Sequence, residues 1–296
     1  MRDFGRSPIR SFAPALNRLP DESLLRAARQ QWNRPQKAPF QSPSGVNELM
    51  KSAYVMLAAA AMLASAACNA EKGSDATATN SSAPIKPVAA PKGGDWTKMV
   101  TATPEGGYLM GNPNADVKII EFGSLTCPHC AEFSEKGSPV LVQNYVKSGR
   151  VSWEFRNYLR DGLDMSMAII AHCAGPEKFF PLVDAMYKSQ KELFEKAQAA
   201  TPEQQQALQA NPSPQLFADI AGLQAWAAQR GLPSARTNAC LANQNLMNQL
   251  MQTSGDVTTQ YPDFQGTPTF ILNGQMVKNT ATWDKLEPAI RDALGS

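Results

Sequence analysis

The chain is short of the residues that build metal centres: its 296 residues include two histidines and five cysteines. Cys127 and Cys130 form a Cys-x-x-Cys pair, but no second cysteine pair or histidine pair supplies the other ligands of a zinc site. No metal is expected. The sequence also lacks an excess of charge, with a net of +2 at pH 7. Nine lysines and arginines stand against four acids in residues 1–52, a net of +5, which leaves residues 53–296 at −3. That mildly acidic remainder has none of the basic footprint of a nucleic-acid surface, so no nucleic-acid partner is expected. Long apolar runs are scarce as well. Residues Ala53–Ala67 are apolar but fall short of the roughly 20 residues that span a bilayer.

What is present suits a folded protein. Hydrophobic residues make up 43% and charged residues 18%, enough for a sizeable core in one or two domains. Met50-Lys51, the apolar stretch and Cys68-Asn69 together have the parts of a secretory signal over residues 50–70. Residues 1–49, Arg- and Pro-rich without hydrophobic periodicity, then read as an unstructured upstream extension. An organellar transit peptide fits less well, because such segments are Ser-rich and poor in acids. Cys68 after Ser65-Ala66-Ala67 resembles a bacterial lipoprotein cleavage site, where the new N-terminal cysteine is acylated, although Ser65 stands where leucine is usual. Cleavage near Ala66 or Ala70, discarding Cys68, is the alternative. Residues 71–94 are rich in Ala, Ser, Thr, Pro, Lys and Gly and read as a flexible linker. The expected location is the periplasm, with membrane anchoring through Cys68 if it is acylated.

From Trp96 onward short strand-like runs appear around turns such as Gly111-Asn112-Pro113-Asn114. Val117-Lys118-Ile119-Ile120-Glu121-Phe122 is β-rich and apolar enough for a central strand. The stretch from Pro128 to Lys147 reads as a helix with Phe133, Val140, Leu141 and Tyr145 on its apolar face, kinked at Gly137-Ser138-Pro139. Val151 to Arg156 alternates like a strand, and strand, helix and strand make a βαβ unit whose two strands run parallel. Residues 164–254 hold no convincing strand. Helices are expected from Met165 to Ala174, Phe179 to Phe194, Gln215 to Arg230 and Ser234 to Thr253, while Ala197 to Ala210 is open between a polar helix and a loop. Strand signals return at Thr269-Phe270-Ile271-Leu272, Asn273-Gly274 is a two-residue hairpin turn, and Trp283 to Leu294 closes the chain as an amphipathic helix. The class is α/β, with residues 95–163 and 255–296 in one domain and 164–254 as a helical insertion.

The chemistry centres on Cys127-Pro128-His129-Cys130, at a junction of strand and helix. A thiol at a helix N-terminus faces unpaired backbone N–H groups and the positive dipole end, which favour its thiolate. Pro128 suits the first helical position, which needs no donor, and His129 adds positive character and a donor when protonated. A stabilised thiolate leaves easily, so its disulfide is an oxidant.

The segment from Val117 to Cys130 resembles the DsbA family of thiol–disulfide oxidoreductases, and Gly266-Thr267-Pro268-Thr269-Phe270 is similar to the family's cis-proline loop. The resemblance covers about residues 96–294 and implies a thioredoxin-like fold with an inserted α-helical domain. It implies that Cys127 and Cys130 are catalytic, assisted by Pro128 and His129, and that a cis bond at Pro268 turns the Thr267 backbone toward a substrate strand. A trans-proline turn is the alternative. By the same resemblance Glu121 is a buried acid serving the second thiol; a Glu paired with a lysine at the core's edge is the other reading. Some relatives carry a second disulfide in the helical domain, which would here join Cys173 and Cys240; two separate buried thiols are the alternative. His172 reads as a helix residue. The redox-active disulfide is the whole cofactor requirement, and the partners implied are secreted or periplasmic proteins with cysteine pairs and a DsbB-like membrane quinone oxidoreductase. A monomer is expected. Thr267 also occurs among isomerases, so an isomerase or reductase on this fold is the near rival, and a non-catalytic peptide-binding lipoprotein the distant one.

Overall fold

The β-rich, largely apolar run of residues 117–123 lies inside a sheet covered on both faces. Val117, Ile119 and Glu121 point to one side, where a large core gathers. Phe122 points to the other, where it meets Val257 and Ile271. The computed structural model describes residues 85–296, all within the unit Ala78–Ser296. The extension 1–49, the signal-like segment 50–70 with Cys68, and the linker as far as residue 84 lie outside the described residues.

The strands are β1 (Val100–Ala102), β2 (Tyr108–Gly111), β3 (Val117–Gly123), β4 (Val151–Asn157), β5 (Thr269–Leu272) and β6 (Gln275–Val277). They form one sheet in the order β1-β2-β4-β3-β5-β6. The pair β3 and β4 is parallel, as a crossover helix requires, and every other pairing is antiparallel. Asn273 and Gly274 take φ of 49° and 83°, the left-handed values that a tight turn between β5 and β6 needs. Helix α1 (Pro128–Lys136) carries the crossover and gives way at Gly137 to short helical turns through Ser148, the kink expected at Gly137-Ser138-Pro139.

Between β4 and β5 lie α2 (Gly162–Cys173), α3 (Pro176–Lys188), α4 (Gln190–Gln198), α5 (Pro202–Ala210), α6 (Pro214–Ala221), α7 (Leu223–Ala228), α8 (Ser234–Leu241) and α9 (Gln244–Gln260). Three helices expected to be continuous are each divided. The first breaks at Ser189, which brings Gln190 to the head of α4. The second breaks at Gly222, whose φ of 67° favours glycine. The third breaks at Asn243, whose side chain accepts from the Asn245 and Leu246 N–H groups and caps α9. The undecided stretch before residue 210 is helical, opened by a Thr201–Gln204 capping box. Helix α9 runs past residue 254 to Gln260, so the helical block is longer than its expected span.

Residues 85–94, expected to belong to a flexible linker, lie against the fold. Ile85 packs on the core, the Val88 N–H donates to the Ser148 carbonyl at 2.7 Å, and the Val88 carbonyl accepts from the Trp96 indole at 2.8 Å. Helix α10 (Trp283–Leu294) buries Leu286 and Ile290. Among the described residues no helix is long and apolar enough to cross a membrane.

Candidate active site

After β3 the chain turns through Ser124, Leu125 and Thr126, and α1 begins at Pro128 with Cys127 as its N-cap, at φ −91° and ψ 123°. Both cysteines are thiols; Cys127 is 5% exposed and Cys130 fully buried, while Pro128 and His129 face outward. The Thr267–Pro268 bond is cis, and the Cys127 thiol donates to the Thr267 carbonyl at 3.1 Å. The structure thus brings together the two loops singled out in the sequence, 140 residues apart. A groove of about 530 Å³ opens beside this contact, bounded by Gly266, Pro268, Met276 and Lys278.

Electrostatics divide the thiols. A hydrogen bond from Cys130 holds Cys127 down at about 5 against the opposing effect of burial, with further bonds from the Thr267 side chain and the backbone N–H groups of Cys130 and His129. The leading influence is therefore the second thiol, and the helix start adds to it through two N–H groups. His129 acts through its backbone, while its imidazole lies on the outer face near Glu132. Cys130 is driven well above the ordinary thiol range, first by burial and then by Cys127.

Glu121 sits on the core face of β3 with Phe155 and Phe270 as its partners in the adjacent strands. Burial raises its carboxyl to about 8, and the Trp153 indole N–H, donating to Oε2 at 3.1 Å, pulls the other way. Among the described residues Glu121 thus accepts from a neutral indole N–H and pairs with no lysine, the partner of the alternative reading. At neutral pH this acid keeps its proton beside a thiol pair.

Four residues that hold or face the site escaped sequence reasoning. Asp164 accepts from the Ser124 hydroxyl at 2.6 Å and the Leu125 N–H at 2.9 Å, and burial lifts its carboxyl to about 7. Gln190 donates to the Leu125 and Cys127 carbonyls at 2.9 and 3.1 Å. Trp153 and Tyr187 complete the set. The Asp161-x-x-Asp164 spacing at a helix start was a visible capping signal, and Asp161 does accept from the Asp164 N–H. Nothing local marks Gln190 or Tyr187, whose roles arise from the fold.

Cys173 and Cys240 are joined by a disulfide between α2 and α8, with Cα atoms 5.9 Å apart. His172 is a half-buried helix residue, as expected: burial lowers it to about 4, its Nε2 lies 3.0 Å from Asn157 Oδ1, and Tyr108 and Phe179 pack against its ring.

Comparison with known proteins agrees with this fold. A family model described as thioredoxin matches residues 103–292. The protein-disulfide isomerase from Novosphingobium aromaticivorans is 31% identical and superposes with a TM-score of 0.60, covering 64% of this chain and 98% of its own. The alpha-DsbA1 of Wolbachia pipientis, 21% identical, superposes with a TM-score of 0.51 over 63% of this chain and 90% of its own, a likeness of fold. A Rickettsia prowazekii chain assigned as a protein-disulfide oxidoreductase is 24% identical over 198 residues, 67% of this chain and 65% of its own length. The chain spans about 60% of the length of the Rickettsia relatives it matches. Because the family model covers most of its described residues, the chain belongs to the thioredoxin family, with the DsbA-type arrangement of a helical block set between β4 and β5.

Proposed function

We propose that the protein is a dithiol:disulfide oxidoreductase that donates a Cys127–Cys130 disulfide to folding proteins outside the cytoplasm. The observation that carries this reading is the Cys127 sulfur at the start of α1, 3.1 Å from the carbonyl before a cis proline, where its surroundings lower the thiol to about 5 and so favour the thiolate as a leaving group. A client thiolate attacks Cys127 Sγ; the S–S electrons pass to Cys130, which takes the proton of Glu121. The client's second thiolate then attacks its own sulfur in the mixed disulfide and expels Cys127 as a thiolate. Two client thiols are oxidised and one enzyme disulfide is reduced. Glu121, neutral below about pH 8, is the general acid, and Thr267 and Pro268 offer backbone for the client strand to pair along.

Each turnover leaves the dithiol, so an oxidant must restore it, and a membrane quinone oxidoreductase of the DsbB type is the partner this cycle calls for. No cofactor beyond the redox-active disulfide takes part. The Cys173–Cys240 bridge supports an oxidising compartment, and the signal-like segment 50–70 supports a periplasmic enzyme tethered through an acylated Cys68. Mass spectrometry of the mature N-terminus checks both.

Oxidation of a dithiol peptide by the full chain tests the assignment: catalysis is expected from wild type and none from Cys127→Ala. Equal activity in the two would leave only a peptide-binding protein. The isomerase reading is favoured by the Novosphingobium relative. A reduction potential of about −180 mV would support it over an oxidant at about −120 mV, and one near that of thioredoxin, about −270 mV, would point to a reductase instead.

A further inference from the structure

Tyr187, near the end of α3, has a buried hydroxyl with no hydrogen-bond partner among the described residues. A buried donor without a partner is unfavourable, so it asks for an explanation. Its side chain lines the same cavity as Glu121, a space of about 310 Å³ walled by Phe133, Trp153 and Phe180. At the rim of that cavity Asp184 and Lys188 pair with each other at 2.7 Å. Burial holds the phenol well above its ordinary value, and Cys130, Glu121, Asp164 and Cys127 push it the same way. The hydroxyl therefore stays protonated, a donor without an acceptor. Three residues on, Gln190 grips the Cys127 loop, so the junction of α3 and α4 meets the site at two places.

Resting on the exchange reaction proposed above, we infer that Tyr187 is a positioning residue for Glu121: its hydroxyl donates to the carboxylate once that group has given its proton to Cys130. In the resting dithiol Glu121 is neutral and makes no call on a second donor, which is why the phenol stands alone. Client attack on Cys127 moves an electron pair onto Cys130; the proton follows from Glu121, and the charge comes to rest on a carboxylate served by the Trp153 indole. The shared cavity leaves room for the carboxylate to turn toward Tyr187 or for one water to bridge them. Release of the client expels Cys127 instead, on the Thr267 side, where Tyr187 has no part.

The test is rapid mixing of the oxidised full chain with a dithiol peptide, following mixed-disulfide formation and client release separately. Tyr187→Phe keeps the ring. It is expected to slow mixed-disulfide formation about tenfold, the worth of one hydrogen bond to an ion, and to leave release unchanged. The alkaline limb of the first step should move to higher pH, because a carboxylate without its donor holds its proton longer. In a Glu121→Gln background the same substitution should cost nothing. Equal first-step rates in wild type and Tyr187→Phe, equal slowing of both steps, or a full loss in the Gln background would each overturn the role. A wild-type chain without exchange activity would instead defeat the exchange reading and take this one with it.

Discussion

The two thiols of one short motif differ in acidity because three residues of helix separate a rim from a core. Cys127 faces donors and Cys130 faces apolar side chains. Titrating the reduced protein by thiolate absorbance should show a first midpoint near 5, far below the ordinary thiol value. A folded pKa lowered from 9.0 to about 5 contributes stability that is fully present above pH 9 and is lost as pH falls through 5. The stability of the reduced form relative to the oxidised form should therefore decline across that window on acidification, as followed by urea unfolding. Glu121 has the opposite sign. Its folded pKa is raised from 4.5 to about 8, so its contribution is complete below 4.5 and is lost as pH rises through 8. Glu121→Gln should remove that slope from the pH–stability curve and slow mixed-disulfide formation by about 100-fold, the lower range for losing a general acid.

At the scale of elements, the reactive loop is held from behind by helices that do not carry it. Gln190, at the head of α4, is the clearest case, and Asp164 on α2 is the other. Gln190→Ala leaves the Leu125 carbonyl without its side-chain donor in a buried setting. The expected cost is about 1–3 kcal/mol by urea unfolding. Slower exchange with an unchanged Cys127 midpoint should accompany it, since the substitution loosens the loop without touching the thiolate's donors. The break at Ser189 is what makes this contact. A continuous helix through that point would rotate Gln190 by the helical period and turn its amide elsewhere.

For the whole molecule, the helical block is tied to itself by one bridge between residues 67 apart in sequence. Closing a loop of that length removes unfolded-chain entropy worth about 4 kcal/mol. The double variant Cys173→Ser, Cys240→Ser should lose about that much stability in urea while keeping its dithiol titration. Both cysteines lie away from the Cys127–Thr267 contact, and neither donates to Cys127.

Local chemistry was legible from residues alone. Cys127-Pro128-His129-Cys130 after a β-rich run announced a helix beginning at a thiol, and Asn273-Gly274 announced the hairpin. A β-rich run, a crossover helix and an alternating run in that order announced the parallel pair of β3 and β4. These features depend on neighbours within a few positions, where backbone sterics and capping decide the outcome. What only the tertiary structure decided is which distant groups meet: Thr267 against Cys127, Phe155 and Phe270 around Glu121, Gln190 behind the loop, and Tyr187 across the cavity. Acidity follows from those meetings, because desolvation and hydrogen bonding act through space. A glutamate in a strand is ordinary until two phenylalanines from other strands take its water away.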